Sequence, residues 1–264
     1  MKNDIKFSII IPNYNKGIYI EECLNSVVNQ TLKNIEIIFI DDGSNDNSLD
    51  IVKKYNNVKL LQTNRMQAGG ARNLGIKNAC GEYVIFLDSD DYLTDNTVLE
   101  KLSNLINNED IIFLNYTKDK FGNISQIIEE KTSLEDKIEK TNLGCPTKCF
   151  KREIISDVYF PERKRFEDII FTLEALCKSE TYSYFEESFF TYRQVQNSNF
   201  TANIDESTIL DILEELMKMY RLCIKYPKHK QALMNRIKKD KIALRLELLD
   251  KLIETGENNY RDYF

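Results

Sequence analysis

The sequence predicts an α/β fold, a mixed, mainly parallel sheet flanked by helices and followed by a C-terminal helical extension. Three observations predict it. Apolar runs of strand length alternate with helix-spaced segments over residues 7–87. Three of the first four runs end in polar clusters, and in a parallel sheet such strand ends share one edge, where ligands bind. From about Asp205 the pattern changes to long segments of helical period.

Taken in order, Phe7–Ile11 reads as a strand that stops at Pro12-Asn13-Tyr14-Asn15, where proline is expected to turn the backbone out. Ile18–Asn29 spaces Ile20, Cys23, Leu24, Val27 and Val28 as a helix does. Ile35–Ile40 is the second strand; it ends at Asp41-Asp42-Gly43-Ser44 and leads to a helix near Ser48–Tyr55. Val58–Leu61 is a third strand, Gly69–Ala79 a helix, and Tyr83–Leu87 a fourth strand.

The second half is less regular. Asp110–Tyr116 reads as a strand, and Phe121-Gly122-Asn123 as the turn to a return strand at Ser125–Ile128. Ser133–Lys140 reads as a surface helix, and Gly144-Cys145-Pro146 breaks the chain. Glu167 and Asp168 open an amphipathic helix carrying Ile169, Ile170, Leu173, Leu176 and Cys177, where the helix dipole favours carboxylates. Two strands follow, near Tyr182–Phe185 and Phe189–Arg193. Ile209 to Tyr220 and, after Pro227, Ile237 to Leu252 form a helical hairpin dense in lysine and arginine between Lys218 and Lys251. The chain divides into residues 1–204, which carry the site, and 205–264, the helical extension. That extension suits packing on the first domain, a homodimer contact, or peripheral contact with an anionic membrane surface.

Composition narrows the function classes. At 42% hydrophobic and 30% charged, the 264 residues read as a soluble globular protein. A net charge of −6 argues against a nucleic-acid binder that works by neutralising phosphates. No apolar run reaches the ~18–20 residues of a membrane span, and Phe7–Ile11 is too short for a secretory signal, so the expected compartment is the cytosol. The six cysteines lack zinc-site spacing, and the single histidine, His229, lies in a lysine-rich stretch and is expected at the surface. A zinc site and a Ser-His-Asp hydrolase are thereby disfavoured.

The most informative stretch is Glu82–Leu93. Its apolar strand stops at three carboxylates, Asp88, Asp90 and Asp91. Clustered charge beside an apolar interior is costly without a partner. A divalent cation shared with substrate phosphates would supply one. An Asp-rich turn is the other reading. There is no G-x-x-x-x-G-K-[ST] and no G-x-G-x-x-G after the first strand, so a P-loop or dinucleotide-binding domain is disfavoured. Arg65 and Arg72 flank Gly69-Gly70, where they either help hold phosphates or are solvated.

Several of these stretches together resemble a known family. Ser8-Ile9-Ile10-Ile11-Pro12-Asn13-Tyr14-Asn15, Ser26-Val27-Val28-Asn29-Gln30-Thr31 and Ile40-Asp41-Asp42-Gly43-Ser44 are similar to the opening of the family-2 inverting glycosyltransferases. So are Gly69-Gly70-Ala71-Arg72-Asn73-Leu74-Gly75 and Phe86-Leu87-Asp88-Ser89-Asp90-Asp91. The resemblance is strong over residues 5–100, weaker over 140–200 and absent from the helical tail.

The resemblance implies the GT-A fold and a set of roles. Pro12 and Tyr14 would line the nucleobase pocket. Asp42 would accept from the base, most often uracil, while Asp41 supports that loop. Arg72 would lie near the base, ribose or phosphates, and Asp88, Ser89 and Asp90 would form the donor motif. Asp88 points there to the ribose or sugar and Asp90 to Mn²⁺ or Mg²⁺, with Asp91 a third carboxylate. Glu167-Asp168 resembles the family's Glu-Asp pair, in which the Asp is the general base. Tyr192-Arg193 to Asn197-Ser198 is similar to a loop that closes over the diphosphate, which makes Arg193 a secondary candidate. Before Lys148-Cys149-Phe150-Lys151-Arg152 the chain departs from the pattern: Gly144-Cys145-Pro146-Thr147 replaces an aromatic residue.

The implied activity is metal-dependent transfer of a hexose or N-acetylhexosamine, with inversion, from a nucleotide sugar, most often a UDP-sugar, to a hydroxyl. The implied acceptors are glycans or lipid-linked oligosaccharides of bacterial surface polysaccharide or cell wall, reached at the inner face of the membrane. Two other readings stay open: a nucleotidyltransferase that makes a nucleotide sugar, and a non-catalytic binding module on the same fold. The first would release pyrophosphate; the second would leave a nucleotide sugar intact.

Overall fold

The computed structural model describes residues 5–161, 167–194 and 206–241. It contains two compact units, one of residues 1–131 and 142–198, the other of residues 132–141 and 199–264.

The first unit is built on a nine-stranded sheet ordered β3-β2-β1-β4-β8-β6-β9-β5, with β7 paired to β6. β1 (Phe7–Asn13), β2 (Ile35–Asp41), β3 (Val58–Gln62) and β4 (Tyr83–Phe86) run parallel. β8 (Lys148–Lys151) is antiparallel to both β4 and β6 (Ile111–Lys120). β9 (Tyr182–Gln194) is parallel to β6, whereas β7 (Asn123–Ile127) and β5 (Tyr92–Leu93) are antiparallel to their neighbours. Every residue of β1 and β4 is buried, as expected of central strands covered on both faces.

The helices cover that sheet with small or apolar faces. α1 (Gly17–Val28) buries Ile20, Cys23, Leu24 and Val27. α3 (Gln67–Asn78) is weakly amphipathic and approaches β1 through glycine: a Cβ on Gly75 would lie 2.4 Å from Ile10. α7 (Glu167–Lys178) buries Phe171, which stacks on Phe160 at 3.8 Å between ring centroids and meets Phe86 and Phe150 edge-on. The amide of Asn73 on α3 grips Phe160, donating to its carbonyl and accepting from its N–H. Shorter helices α2 (Ser48–Val52), α4 (Val98–Leu105) and α6 (Arg152–Ile155) complete the unit.

In the second unit, α5 (Leu134–Lys140) is capped by Ser133, which accepts from the Asp136 N–H, and α8 (Glu206–Lys225) precedes a further helical segment at 230–241. The rest of the expected hairpin, from Ile242 to Leu252, lies outside the described residues, as does the expected loop through Asn197 and Ser198. None of the described helices is long and apolar enough to cross a membrane.

Three expectations change. β1 runs through Pro12 instead of stopping before it. Pairing with β4 ends at Ile10–Phe86, so proline falls where β1 has no neighbour on that side to miss its N–H. The two strands expected over 182–193 are one strand, whose register to β6 shifts at Asn115, opposite Glu186 and Glu187. His229 is buried rather than at the surface, because its Nδ1 bonds to Glu135 within the same unit at 2.6 Å.

Candidate functional site

The carboxyl ends of β1, β2 and β4 lie side by side, since Asn13 is in register with Asp41 and the Leu87 N–H bonds to Ile10. Asn13 donates to Asp41 at 2.9 Å and to Ser44 at 3.1 Å, and the Ser44 N–H returns to Asp41. Asp42 accepts three hydrogen bonds, from the Thr63 hydroxyl at 2.6 Å and from the Met66 and Gln67 N–H groups at 2.7 and 2.8 Å. It thereby fixes a loop in which Arg65 and Gln67 hold left-handed backbone, at φ 62° and 67°. Non-glycine residues there carry strain of about 1–3 kcal/mol each, which persists only where the surroundings enforce it. The loop brings the Arg65 guanidinium 3.8 Å from the centroid of the half-exposed Tyr14 ring. Pro12 is buried behind Tyr14 in the chain.

The three carboxylates after β4 have three different surroundings. Asp88 accepts from Arg72 at 2.9 Å. Asp90 accepts from the Lys16 ammonium at 2.5 Å. Asp91 is buried and accepts from the Arg193 N–H at 2.8 Å, while its Oδ2 has no hydrogen-bond partner. Burial, with Asp88 and Asp90 adding to it, pushes the Asp91 carboxyl well above the usual carboxylate range. Ser89 is buried between them in sequence.

Arg72 connects this cluster to the start of α7. It is buried, and one arm of its fork bonds Asp88 while the other bonds Glu167 at 2.7 Å. Burial opposes the charged guanidinium, but Cys145, Asp88, Glu167 and Asp168 more than compensate and hold its pKa above the ordinary arginine value. Close packing makes this bridge possible, since a Cβ on Gly69 would lie 2.5 Å from the Pro161 carbonyl and 3.3 Å from Glu167.

Asp168 stands next to that bridge without being part of it. Burial, then the neighbouring Glu167 and the more distant Asp88, raise its pKa to about 6 against the pull of Arg72. A Cβ on Gly144 would sit in ordinary van der Waals contact with Asp168 Oδ2, at 3.8 Å, so the chain at Gly144 passes close to that carboxylate. A carboxylate with a pKa near neutrality is suited to accept a proton from a hydroxyl.

Of the residues the sequence singles out, the structure therefore links Asp88, Arg72 and Glu167 by hydrogen bonds and sets Asp168 next to them, with Asp90 and Asp91 beside Asp88 in the chain. Asp41, Asp42 and Tyr14 form the neighbouring loop cluster. Arg72 is not solvated, because two carboxylates enclose it. The Arg193 side chain turns to Glu22 and lies near the rings of Tyr19 and Tyr92; its backbone N–H bonds Asp91, and its charge also favours the ionised Asp91 carboxylate. Lys16 and Thr63 escape the sequence reading: each matters through a partner distant in the chain, and neither belongs to a motif. Asp88 and Asp90 offer hard oxygen donors on partly exposed side chains, and Asp91 an unpartnered buried oxygen beside them. Among the described residues no group of three or more His, Cys, Asp or Glu side chains forms a metal cage. Such a donor set fits a cation completed by substrate phosphates.

The family model described as Glycosyl transferase family 2 matches residues 8–159. The chain belongs to this family. Among its relatives, the Staphylococcus aureus poly(ribitol-phosphate) β-N-acetylglucosaminyltransferase TarP is 34% identical over 244 residues, covering 85% of this chain and 74% of the relative. The enzyme of the same description named TarS, also from S. aureus, is 33% identical over 204 residues, covering 71% of this chain. The chain spans about a third of that relative's length, 35%. The crystal structure of S. aureus TarS 1–349 in complex with UDP-GlcNAc matches with a TM-score of 0.76 and 27% identity, covering 88% of this chain and 71% of that one. The GT-A fold implied by the sequence motifs is the fold of this chain, a mixed sheet flanked by helices with helices at the C-terminus.

Proposed function

We propose that this chain is an inverting glycosyltransferase that moves a sugar from a UDP-sugar to a hydroxyl of a cell-envelope polymer. The observation that carries the reading is Asp168, a carboxylate at the start of α7 beside the Arg72 bridge from Asp88 to Glu167, with its pKa raised to about 6 by burial and by Glu167. Donor binding and proton removal need carboxylates in different states. Donor-side carboxylates must stay charged to meet a cation, whereas the base must change state near neutral pH.

In this reading the loop fixed by Asp42 and the Tyr14 ring receive the uracil, and Asp88 faces the ribose or sugar. Asp90, with Asp88 beside it, would hold Mn²⁺ or Mg²⁺, which when bound offsets charge developing on the departing diphosphate. Asp168 takes the proton of the acceptor hydroxyl as that oxygen attacks the anomeric carbon from the face opposite the leaving group, which accounts for inversion. Glu167 and Arg72 position Asp168 at the start of α7. Arg193 would contribute through its backbone grip on Asp91.

The sugar class follows the relatives. TarS and TarP are described as β-N-acetylglucosaminyltransferases acting on poly(ribitol-phosphate), and a Bacillus spizizenii relative 38% identical over 196 residues as a poly(ribitol-phosphate) β-glucosyltransferase. UDP-GlcNAc and UDP-glucose are therefore the donors proposed, and a hydroxyl of a polyol-phosphate or related surface polymer the acceptor. Such a donor is made in the cytosol, which is where the reading places the chain, with its basic C-terminal helices available to the membrane surface.

The test is a donor screen followed by product analysis. UDP with Mn²⁺ is expected to raise the melting temperature more than GDP or ADP does. Incubation with UDP-GlcNAc or UDP-glucose plus polyol-phosphate polymer is expected to release UDP. Release of pyrophosphate from a sugar phosphate and UTP, or no stabilisation by any nucleotide, would overturn the proposal.

A further inference from the structure

The Lys16 ammonium lies 2.5 Å from Asp90 Oδ2, and its placement is built rather than incidental. Lys16 sits at the turn between β1 and α1, and both of its neighbours are fixed to the loop after β2. Asn15 holds left-handed backbone at φ 51°; its N–H donates to Ser44 at 3.0 Å and its side chain accepts from the Asn45 N–H at 2.8 Å. On the other side the Gly17 N–H donates to Asp46 at 2.8 Å, and a Cβ on Gly17 would lie only 1.9 Å from Asn47. Two strand-end loops are thus locked together around Lys16, which reaches Asp90, 74 residues further along the chain. The pair is partly open to solvent, with 32% of the Lys16 side chain and 20% of the Asp90 side chain exposed.

We propose that Lys16 is a resident cation of the donor site, which holds Asp90 until a divalent cation arrives with the nucleotide and then passes to the diphosphate. This rests on the glycosyl-transfer reading above. A cation alone must displace the ammonium from Asp90 and leave it beside a second positive charge. A cation arriving with a diphosphate brings the ammonium a new anionic partner, and the flexible four-carbon stem of lysine lets it follow. Lys16 therefore makes the binding of metal and nucleotide cooperative. The coupling is reciprocal, so each raises the affinity of the other by the same factor.

The experiment compares the full chain with Lys16→Gln and Lys16→Met, titrating Mn²⁺ in the absence and presence of UDP, and UDP in the presence of a chelator or of saturating Mn²⁺. Without nucleotide, both variants are expected to bind Mn²⁺ about fivefold or more tightly than the parent, because no ammonium competes for Asp90. UDP is expected to raise the Mn²⁺ affinity of the parent by a larger factor than that of either variant. In chelator, where the ammonium stays on Asp90, UDP is expected to bind parent and variants within about threefold, and with saturating Mn²⁺ it is expected to bind the variants several-fold more weakly than the parent. Mn²⁺ affinity and UDP coupling equal to those of the parent in both variants would overturn the role of Lys16 while leaving glycosyl transfer intact. A parent that binds no UDP under any condition would remove the glycosyl-transfer reading itself, and this inference with it.

Discussion

Asp42, just after β2, and Asp168, at the start of α7, are both carboxylates, and their surroundings are opposite. Asp42 accepts a hydroxyl and two backbone N–H groups, and these bonds shape the loop from Thr63 to Gln67. Asp168 lies beside Glu167 and within reach of the charge on Asp88, and its pKa rises to about 6. Saturating a carboxylate with donors turns it into architecture. Burying one among like charges raises its pKa, which suits it to the base role proposed for Asp168. At the start of α7, Arg72 bonds Glu167 with one arm of its fork and Asp88 with the other, and Asp168 lies beside this bridge.

The contrast breaks most visibly at Asp168. Asp168→Asn is expected to lower the transfer rate by roughly 10²–10⁴-fold, the usual worth of a general base, as measured by UDP release with acceptor present. In the parent, kcat/KM is expected to fall about tenfold per pH unit below pH about 6, where Asp168 is protonated, and the variant is expected to lack that limb.

Asp42→Ala is expected to act on the fold instead. Removing the acceptor leaves the Met66 and Gln67 N–H groups without their partner in a strained loop, at a cost of about 2–4 kcal/mol in chemical denaturation. UDP affinity should fall with it.

Stability sharpens the same comparison in the other direction. A carboxylate whose pKa is raised by folding binds more protons in the native than in the unfolded state. The native state therefore loses stability as pH rises from about 4 to about 6. Asp168→Asn is expected to gain up to about 3 kcal/mol at pH 8 and little at pH 4, compared by denaturant melts at the two values. A variant less stable than the parent at pH 8 would contradict the environment assigned to Asp168.

The smallest effect is expected at Arg65. In Arg65→Gly, relief of the left-handed strain at φ 62° is set against loss of the contact with Tyr14. The two differ by less than about 1 kcal/mol, so the melting temperature should hardly move.

The strands that frame the site were legible because their apolar runs end sharply in charge: Ile40 before Asp41-Asp42, and Leu87 before Asp88. The start of α7 was legible for a local reason too, since acidic residues favour a helix N-terminus. What stayed hidden depended on partners far away in the chain. His229 is surrounded in sequence by lysines, yet it is buried by a bond to Glu135. Lys16 reads as an ordinary loop lysine until Asp90 is placed against it. Arg72 is singled out by the sequence, but not as the bridge between Asp88 and Glu167 that the fold makes of it. Local pattern identifies a strand end; only the fold shows which charges neutralise one another there.

The division between donor carboxylates and base is tested most directly by calorimetric titration of Asp168→Asn with UDP-GlcNAc and Mn²⁺, alongside a transfer assay on the same preparation. The base role proposed for Asp168 predicts donor affinity within about threefold of the parent, together with transfer reduced by at least roughly 100-fold. Donor affinity weakened tenfold or more, or transfer close to the parental rate, would contradict it.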